Sequence, residues 1–527
     1  MVPLLDIRDL RIRARSTGKE IVHGVSLTMD RGRILGIVGE SGSGKTLTAM
    51  TVAGLLPPAL QAEGQVLMRG AELQVSDFAR DRDQRTAEVG VIFQNPSTAL
   101  NPRMTIGAQL AEALPPEQRL NPARAAKACL KLLAEVGMPD PLRKLSAYPH
   151  ELSGGLAQRT VIAMALARTP KLLIADEPTT ALDVTIQAQI LDLVVRLQKT
   201  HHFGVLLITH DMGVVRDRTD DVVVMAGGRI VEAGRTEDLF RNARSPEAKA
   251  LLQASALVFG DAPEATDAAP LLEVANLCKT FHKGPRAVGD VSFTLMPGQS
   301  VGIVGESGSG KTTLARIIAG LQDFDSGTIR LAGQPRLPRK RSPLIQYVFQ
   351  DPYSSLDPRM AVIDSVAEPL IAMGQRKRQA RARAAELLAE VNLDESTWHR
   401  PPTSLSGGQR QRVGIARAIA PDPRLLISDE PVAALDATVR EQVLNLLLRL
   451  QKQREMTQLL ISHDLSIVTR LCSHVIVMRG GEIVEQGTVR DIFEHGTHPY
   501  TQLLLAAIPG QDRKAPGDTP ADAALGA

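Results

Sequence analysis

Two identical octapeptides, Gly-Glu-Ser-Gly-Ser-Gly-Lys-Thr at residues 39–46 and again at residues 305–312, decide the fold of this chain. Each matches the phosphate-binding pattern GxxxxGK[ST], in which glycines let the backbone curl closely around phosphate oxygens. A short apolar run leads into each copy, as a buried parallel strand would. The copies begin 305 − 39 = 266 residues apart, and the motifs behind them recur in the same order. The chain is therefore a tandem of two nucleotide-binding units.

The chemistry of the loop predicts what its residues do. The helix that follows points its N-terminal N–H groups, and the positive end of its dipole, at a bound anion. We expect Lys45 and Lys311 to neutralise the β- and γ-phosphates of ATP, and Thr46 and Thr312 to offer a hydroxyl to Mg²⁺. The nucleotide-contacting residues expected in the two loops are Gly39, Glu40, Ser41, Gly42, Ser43, Gly44, Lys45 and Thr46, and Gly305, Glu306, Ser307, Gly308, Ser309, Gly310, Lys311, Thr312 and Thr313.

Composition limits the class of protein. The 527 residues are 43% hydrophobic and 23% charged, as in ordinary globular domains, and the net charge of +3 gives no case for nucleic-acid binding. No stretch approaches ~18 uninterrupted apolar residues and no signal peptide is evident, which predicts a cytosolic chain that reaches a membrane only through partners. The three cysteines form no CxxC pair, so we expect small buried side chains in a reducing compartment.

The repeat also predicts the domain organisation. We expect a first ATPase domain over residues 1–256, an acidic linker rich in Ala and Pro over 257–270, a second ATPase domain over 271–509 and a disordered tail over 510–527. Strand-like runs alternating with helical patterns favour α/β domains around a mostly parallel sheet. The expected strands pair between the halves as residues 4–7 and 271–274, 34–38 and 301–304, 172–175 and 425–428, and 205–208 and 458–461.

Helical spacing predicts one buried face in each half. The residues expected on these faces are Ala126, Leu130 and Leu133, and Ala380, Ala384, Leu387 and Val391.

An acidic pair ends an apolar strand in each half, Asp176-Glu177 and Asp429-Glu430. Both pairs therefore emerge at the carboxyl edge of a sheet, where α/β proteins bind ligands. The aspartate is expected to hold Mg²⁺ through water. The glutamate is expected to orient the attacking water, a role that contributes roughly 10²–10⁴-fold in rate.

A Leu-Ser-Gly-Gly motif opens a helix in each half, at residues 152–155 and 405–408. It makes a second anion-binding helix terminus, and one domain cannot easily surround a nucleotide with two such loops. The pattern therefore suggests a nucleotide sandwiched between two domains. It resembles the ATP-binding-cassette superfamily, whose defining sequence is LSGGQ, over nearly the whole chain apart from linker and tail. The residues that match are Ser153, Gly154 and Gly155, and Ser406, Gly407, Gly408 and Gln409.

The resemblance implies a fold and further site residues. Each domain is expected to have a RecA-like parallel-sheet core, an antiparallel β subdomain and a helical subdomain. The family's Q-loop glutamine touches Mg²⁺ and the membrane partner, and its switch histidine contacts the γ-phosphate; a D-loop aspartate is a further family element. The matching residues are Gln94 and Gln350, Asp183 and Asp436, and His210 and His463.

The two halves differ at the nucleotide site. Phe281 lies 305 − 281 = 24 residues before its phosphate loop and matches the family's adenine-stacking aromatic, whereas the N-terminal equivalent is Ala14. Leu156 also replaces the glutamine that Gln409 retains. In the cassette sandwich, each site pairs the loop of one half with the Ser-Gly-Gly of the other. Since Glu177 and Glu430 are both present, we expect both sites to hydrolyse ATP, with their relative activity left open.

The C-terminus indicates which cassette protein this is. His-Pro-Tyr-Thr at 498–501, followed by a Leu-Leu pair, resembles the C-terminal extension of oligopeptide, dipeptide and nickel importer ATPases; residues 245–248 are a degraded copy. The loops at 97–104 and 354–360 resemble those that receive a permease's coupling helix. Fused importer ATPases of this kind, glutathione importers among them, are similar. The resemblance implies a peripheral ATPase on the cytoplasmic face of the inner membrane, with two permeases and an extracytoplasmic solute-binding protein.

Two other classes of tandem cassette protein match the sequence less well. Soluble ATPases that act on ribosomes or DNA have a long charged helical linker or CxxC zinc sites, and neither is present. Sugar importers of this type have a degenerate second loop and no HPYT segment. Members with an iron–sulfur cluster carry clustered cysteines after the first cassette, so we expect no cluster here. The transported solute stays open among peptides, glutathione, nickel and opine-like compounds.

Overall fold

A computed structural model describes residues 2–75, 78, 82–179, 182–255, 259–260, 268–281, 284–433, 435 and 437–510. They form two compact units, one running to Ser255 and including residues 506–510, the other running from residue 259 to Leu505. Most of the expected linker, the expected disordered tail beyond residue 510 and the D-loop residue Asp436 lie outside the described residues.

The first unit contains ten strands and twelve α-helices among its described residues. The strands are β1 (Leu5–Ala14), β2 (Glu20–Met29), β3 (Ile34–Gly39), β4 (Leu60–Met68), β5 (Ala71–Leu73), β6 (Val89–Ile92), β7 (Leu172–Asp176), β8 (Gly204–Ile208), β9 (Asp221–Ala226) and β10 (Arg229–Arg235). The helices are α1 (Lys45–Ala53), α2 (Arg82–Glu88), α3 (Pro96–Ala99), α4 (Ile106–Ala113), α5 (Pro116–Arg119), α6 (Pro122–Glu135), α7 (Pro141–Leu145), α8 (Gly154–Leu166), α9 (Val184–His201), α10 (Met212–Arg218), α11 (Thr236–Asn242) and α12 (Pro246–Ser255).

The second unit repeats this order with fewer short helices in its described part. Its strands are β11 (Leu272–Thr280), β12 (Arg286–Leu295), β13 (Ser300–Val304), β14 (Ser326–Leu331), β15 (Gln334–Pro335), β16 (Ile345–Val348), β17 (Leu425–Asp429), β18 (Thr457–Ile461), β19 (His474–Arg479) and β20 (Glu482–Thr488). Its helices are α13 (Lys311–Ala319), α14 (Pro352–Ser355), α15 (Val362–Ala372), α16 (Lys377–Glu390), α17 (Glu395–Trp398), α18 (Gly407–Ile419), α19 (Ala437–Arg454), α20 (Leu465–Leu471), α21 (Val489–His495) and α22 (Pro499–Ala506).

Each unit is built on two sheets. A six-stranded sheet has the order β10-β9-β3-β8-β7-β6 in the first unit and β16-β17-β18-β13-β19-β20 in the second. Its strands are parallel except for the antiparallel edge strands β10 and β20. A four-stranded antiparallel sheet, β2-β1-β4-β5 or β12-β11-β14-β15, lies beside it. The predicted fold class, with a parallel core, an antiparallel β subdomain and helices, is confirmed.

The core follows the apolar runs of the sequence. Every residue of β3, β7 and β8 is buried, as are those of β13, β17 and β18, because helices and the second sheet cover both faces. All four predicted strand pairs are present. No helix in the described part of the chain is long and apolar enough to cross a bilayer.

One predicted helix face is wrong by one residue. In α6 the buried side chains are Ala125, Cys129 and Leu133, whereas Ala126 is exposed. Residues four apart keep one face of a helix, so the stripe that ends at Leu133 passes through a cysteine rather than through Leu130. The face predicted for α16 is confirmed.

The prediction that all three cysteines are buried is confirmed for two of them and wrong for the third. Cys129 and Cys472 are buried, but Cys278 is half-buried.

Candidate functional site

In each unit the phosphate loop joins the central parallel strand to the helix that follows it, β3 to α1 and β13 to α13. Gly39 opens the first loop with a φ of 149°, and a Cβ there would lie 2.0 Å from the carbonyl oxygen of Met225. Gly305 opens the second loop with a φ of 150° and faces Met478 in the same way. The loop can therefore pass this close to the neighbouring strand only with glycine.

The loop lysines are folded back onto their own loops. The ammonium of Lys45 donates to the carbonyl oxygens of Gly39 at 2.8 Å and Glu40 at 2.7 Å. Lys311 makes the equivalent bonds, both at 2.7 Å. Burial lowers the pKa of Lys45, although the carboxylates of Glu177 and Asp176 oppose the shift. A buried cation thus lies in the concave side of each loop, where phosphate oxygens would bind.

A threonine hydroxyl and a buried aspartate meet at the start of each loop helix. The hydroxyl of Thr46 donates to Asp176 at 3.1 Å, and that of Thr312 to Asp429 at 3.2 Å. Burial raises the pKa of both aspartates, and the bonds from the threonines counteract part of that effect. Paired hydroxyl and carboxylate oxygens are ligands that suit a hard cation such as Mg²⁺.

A glutamate in the first unit is held from two sides. Gln94 donates to Oε2 of Glu177 at 2.8 Å, and Nδ1 of His210 lies 3.2 Å from Oε1. The three residues come from separate segments, after β6, β7 and β8, and adjacent parallel strands bring them to one edge of the sheet.

The second unit contains the same triplet with shorter distances. Gln350 donates to Glu430 at 2.7 Å, and Nδ1 of His463 lies 2.9 Å from the other carboxylate oxygen. Burial alone would raise the pKa of Glu430 and lower that of His463. Their mutual hydrogen bond and charge attraction outweigh burial, so the pKa of Glu430 is lowered and that of His463 raised.

Both glutamates have a left-handed backbone, with φ of 44° at Glu177 and 47° at Glu430. This region costs a non-glycine residue roughly 1 kcal/mol or more, and such strain concentrates at functional sites.

One partner of Asp429 was missed by the sequence reasoning. The hydroxyl of Tyr347, on β16, donates to Oδ2 of Asp429 at 2.6 Å, and the positive charge of Arg316 lies close enough to lower the aspartate's pKa. The first unit has Val91 at the place of Tyr347 and Met50 at the place of Arg316. A tyrosine in an otherwise apolar strand beside the acidic strand was the available signal.

The signature motif begins a helix in each unit, apart from the cluster just described. Ser153 precedes α8 and Ser406 precedes α18, and both side chains are exposed. In the second unit, Ser406 and Gln409 form a capping box, with bonds of 3.3 and 3.0 Å. Leu156 has no polar atom to make the reciprocal bond, and the side chain of Ser153 makes no capping bond to α8 either.

The second glycine of each signature motif, Gly155 or Gly408, is required by the packing of the helix that follows. A Cβ at Gly155 would lie 2.7 Å from Ile186, and one at Gly408 would lie 2.1 Å from Val439. Both contacts allow α8 and α18 to approach α9 and α19 closely, while the preceding serine stays exposed.

Two further kinds of predicted residue are the adenine-stacking aromatic and the D-loop aspartates. Phe281 is 46% exposed, and the ammonium of Lys279 lies 6.0 Å from its ring centre. Asp183 caps α9 by accepting from the N–H of Ile186 at 3.0 Å. Its counterpart Asp436 lies outside the described residues.

The model of the ABC transporter family matches the chain twice, over residues 22–180 and 288–433. A second model, the C-terminal region of oligopeptide/dipeptide transporters, matches residues 484–524. The solved structure of an archaeal ribosome recycling factor, aABCE1, in complex with the ribosomal stalk protein aP1, covers 92% of this chain and 90% of its own with a TM-score of 0.64. At 21% identity that likeness shows the fold alone.

Two relatives are similar over nearly the whole chain. The glutathione import ATP-binding protein GsiA of Escherichia coli (strain K12) is 42% identical over 558 residues, which cover 96% of this chain and 89% of the relative. The oligopeptide transport ATP-binding protein OppD of Mycobacterium tuberculosis is 40% identical over 610 residues, which cover 97% and 99%. The chain therefore belongs to the ABC transporter family, and its two ATP-binding domains make it an ATPase.

Proposed function

We propose that this chain is the ATPase subunit that energises import of peptides, or of a related small solute, through a membrane permease. The match of residues 484–524 to the C-terminal region of oligopeptide/dipeptide transporters carries this proposal. The relatives named for glutathione import and oligopeptide transport support it, since they align over almost their full lengths. Dipeptides, oligopeptides, glutathione and nickel are the candidate solutes, with a peptide as the best single choice.

Each unit would bind the phosphates of ATP through its loop. Lys45 and Lys311 would release one or more carbonyl bonds and turn to the β- and γ-phosphates. Thr46 with Asp176, and Thr312 with Asp429, would hold Mg²⁺, for which their oxygens fit. When bound, the ion neutralises charge that develops on the phosphates. Phe281 would stack on the adenine in the second unit.

The glutamates would orient the attacking water. Gln94 and His210 hold the Glu177 carboxylate from both sides, which would fix the direction from which it accepts a hydrogen bond from water. Gln350 and His463 would do the same for Glu430. In this mechanism His210 and His463 reach the γ-phosphate with the second ring nitrogen, Nε2, while Nδ1 faces the glutamate.

The signature serines would complete the sites in the cassette manner. Site one would combine Lys45 and Glu177 with residues 406–408, and site two would combine Lys311 and Glu430 with residues 153–155. ATP would then stabilise the closed pair of domains, and loss of the γ-phosphate would reopen it. Only tighter binding of ATP to the closed state can drive this cycle.

The proposal also implies a subunit composition for the transporter. Because one chain supplies both ATPases, one copy would serve two permease subunits and an extracytoplasmic solute-binding protein at the cytoplasmic face of the inner membrane. The loops at 97–104 and 354–360 would receive the coupling helices of the permeases.

Uptake by intact cells tests this function. Cells that lack the chain, complemented with the wild type, with Lys45→Ala or with Lys311→Ala, would be given radiolabelled tripeptide and, as a matched control, radiolabelled maltose. Peptide uptake should depend on the wild-type chain and fall in both variants while maltose uptake is unchanged. Unchanged tripeptide, glutathione and nickel uptake in the deletion strain would contradict the proposal.

A further inference from the structure

The C-terminal extension reaches the phosphate loop of the second unit through Tyr500. This residue lies in the first turn of α22 and is only 3% exposed. Its hydroxyl accepts a hydrogen bond of 2.8 Å from the backbone N–H of Glu306, the second residue of the loop. The HPYT segment therefore contacts the nucleotide site directly, 194 residues along the chain.

The contact acts on the peptide that also holds the loop lysine. The N–H of Glu306 and the carbonyl of Gly305 belong to one peptide group. Tyr500 accepts from the N–H, while Lys311 donates to the carbonyl at 2.7 Å. Hydrogen bonds on both ends of a peptide polarise it and strengthen each other. Tyr500 thus fixes the orientation of a peptide against which the phosphate-binding ammonium rests.

The extension itself is anchored firmly. The carboxylate of Glu485 accepts from the N–H groups of Thr497 at 2.8 Å and His498 at 3.3 Å, just before α22 begins. The guanidinium of Arg479 lies over the ring of Tyr500, 5.0 Å from its centre. The backbone N–H of Tyr500 donates to Nδ1 of His498 at 3.2 Å, so the tyrosine is held by its backbone, its ring and its hydroxyl.

The first unit keeps the anchor but lacks the tyrosine. Glu232 accepts from the N–H groups of Arg244 at 3.0 Å and Ser245 at 2.8 Å, which is the same arrangement before α12. The residue at the place of Tyr500 is Glu247, and it is exposed. Two extensions of the same design thus differ at the residue that meets the loop.

We propose that Tyr500 is a positioning residue for the second phosphate loop, so that the ATP affinity of the second unit depends on the docked extension while that of the first does not. The inference rests on the proposed role of residues 305–312 in binding ATP. It gives the HPYT segment a function at the nucleotide site and makes the two sites unequal in how their loops are supported.

Photolabelling with 8-azido-ATP tests the proposal in the full-length chain, because peptide mapping gives the half-saturating concentration of each unit in the same sample. Tyr500→Phe keeps the buried ring and removes the hydroxyl. We expect it to raise the half-saturating concentration of the second unit about 3- to 10-fold, as for one lost hydrogen bond, with maximal labelling unchanged. The first unit serves as the internal control.

Tyr353→Phe is the matched control, since its ring is 58% exposed and stacks on Arg410. No selective change in Tyr500→Phe, or an equal change in both units or in the control, would overturn the proposal. If Tyr500→Phe unfolds the second unit, Glu485→Gln is the alternative variant, because it weakens only the anchor of the extension. It must raise the half-saturating concentration of the second unit selectively, though by less. The absence of such a rise would also overturn the proposal. Lys311→Ala separates the two claims: persistent labelling of the second unit there would refute the loop's role rather than that of Tyr500.

Discussion

Replacing Tyr347 with phenylalanine would remove a short hydrogen bond to Asp429, the last residue of strand β17. The hydroxyl donates to Asp429 at 2.6 Å, and the tyrosine and the aspartate are 8% and 2% exposed. Thr312 would remain the donor to the other carboxylate oxygen, at 3.2 Å. The substitution therefore leaves a carboxylate that is almost inaccessible to bulk water and has lost its tyrosine donor on one oxygen.

The size of the effect follows from this geometry. A hydrogen bond to a charged group contributes about 1.5–3 kcal/mol, and its removal exposes the desolvation cost of the group left behind. We expect the free energy of unfolding of the second unit to fall by about 2 kcal/mol. For a domain of this size, each kcal/mol lowers the Tm by about 2–4 °C, so the shift should be about 4–8 °C.

Tryptophan fluorescence is the suitable assay, because the single tryptophan of the chain, Trp398, lies in α17 of the second unit. Thermal unfolding followed at this residue reports on the second unit without a signal from the first. Tyr353→Phe, which alters an exposed tyrosine, should leave the Tm unchanged. A Tm for Tyr347→Phe within 1 °C of the wild type, or an equal loss in Tyr353→Phe, would refute the reasoning.

Three further predictions concern the nucleotide sites. The pKa of His463 is raised above its ordinary value of 6.5 and that of Glu430 is lowered below 4.5, so the pair is fully charged between these two pH values. His463→Gln should therefore destabilise the second unit most in this range, as seen by Trp398 fluorescence. The effect should decrease as the pH rises through the raised pKa of His463 or falls through the lowered pKa of Glu430. Glu177→Gln and Glu430→Gln should each lower ATP turnover measured by phosphate release; an unchanged rate in either would show that its site does not hydrolyse. Phe281→Ala should weaken azido-ATP labelling of the second unit about 2- to 10-fold and leave the first unchanged.

Much of the fold could be predicted because its signals are local. The strand before each phosphate loop and the strand before each acidic pair are short apolar runs, as expected for strands buried on both faces. The helix face in α6 was less certain, since alanine, leucine and cysteine are all small or apolar and a shift of one residue kept an apolar stripe. Only packing distinguishes Cys129 from Leu130 there.

The contacts that differ between the two sites could not be predicted in the same way. No sequence motif links Tyr347 to Asp429 or Tyr500 to Glu306. The two residues of each pair are 82 and 194 positions apart in sequence, and only the folded chain brings them together. The repeat itself obscured them, because it draws attention to residues that the halves share. Substitutions within the repeat, Tyr347 for Val91 and Tyr500 for Glu247, were the informative positions.

The measurement that tests the central claim most directly is quantitative mass spectrometry of the tagged chain purified from native membranes. The account predicts one copy of this chain with two permease subunits, and a solute-binding protein that joins the complex and identifies the solute by its ligand. Two copies of the chain per complex would contradict the claim that one chain supplies both ATPases. Ribosomal or DNA-repair proteins without permeases would contradict the transport function and leave only the ATPase.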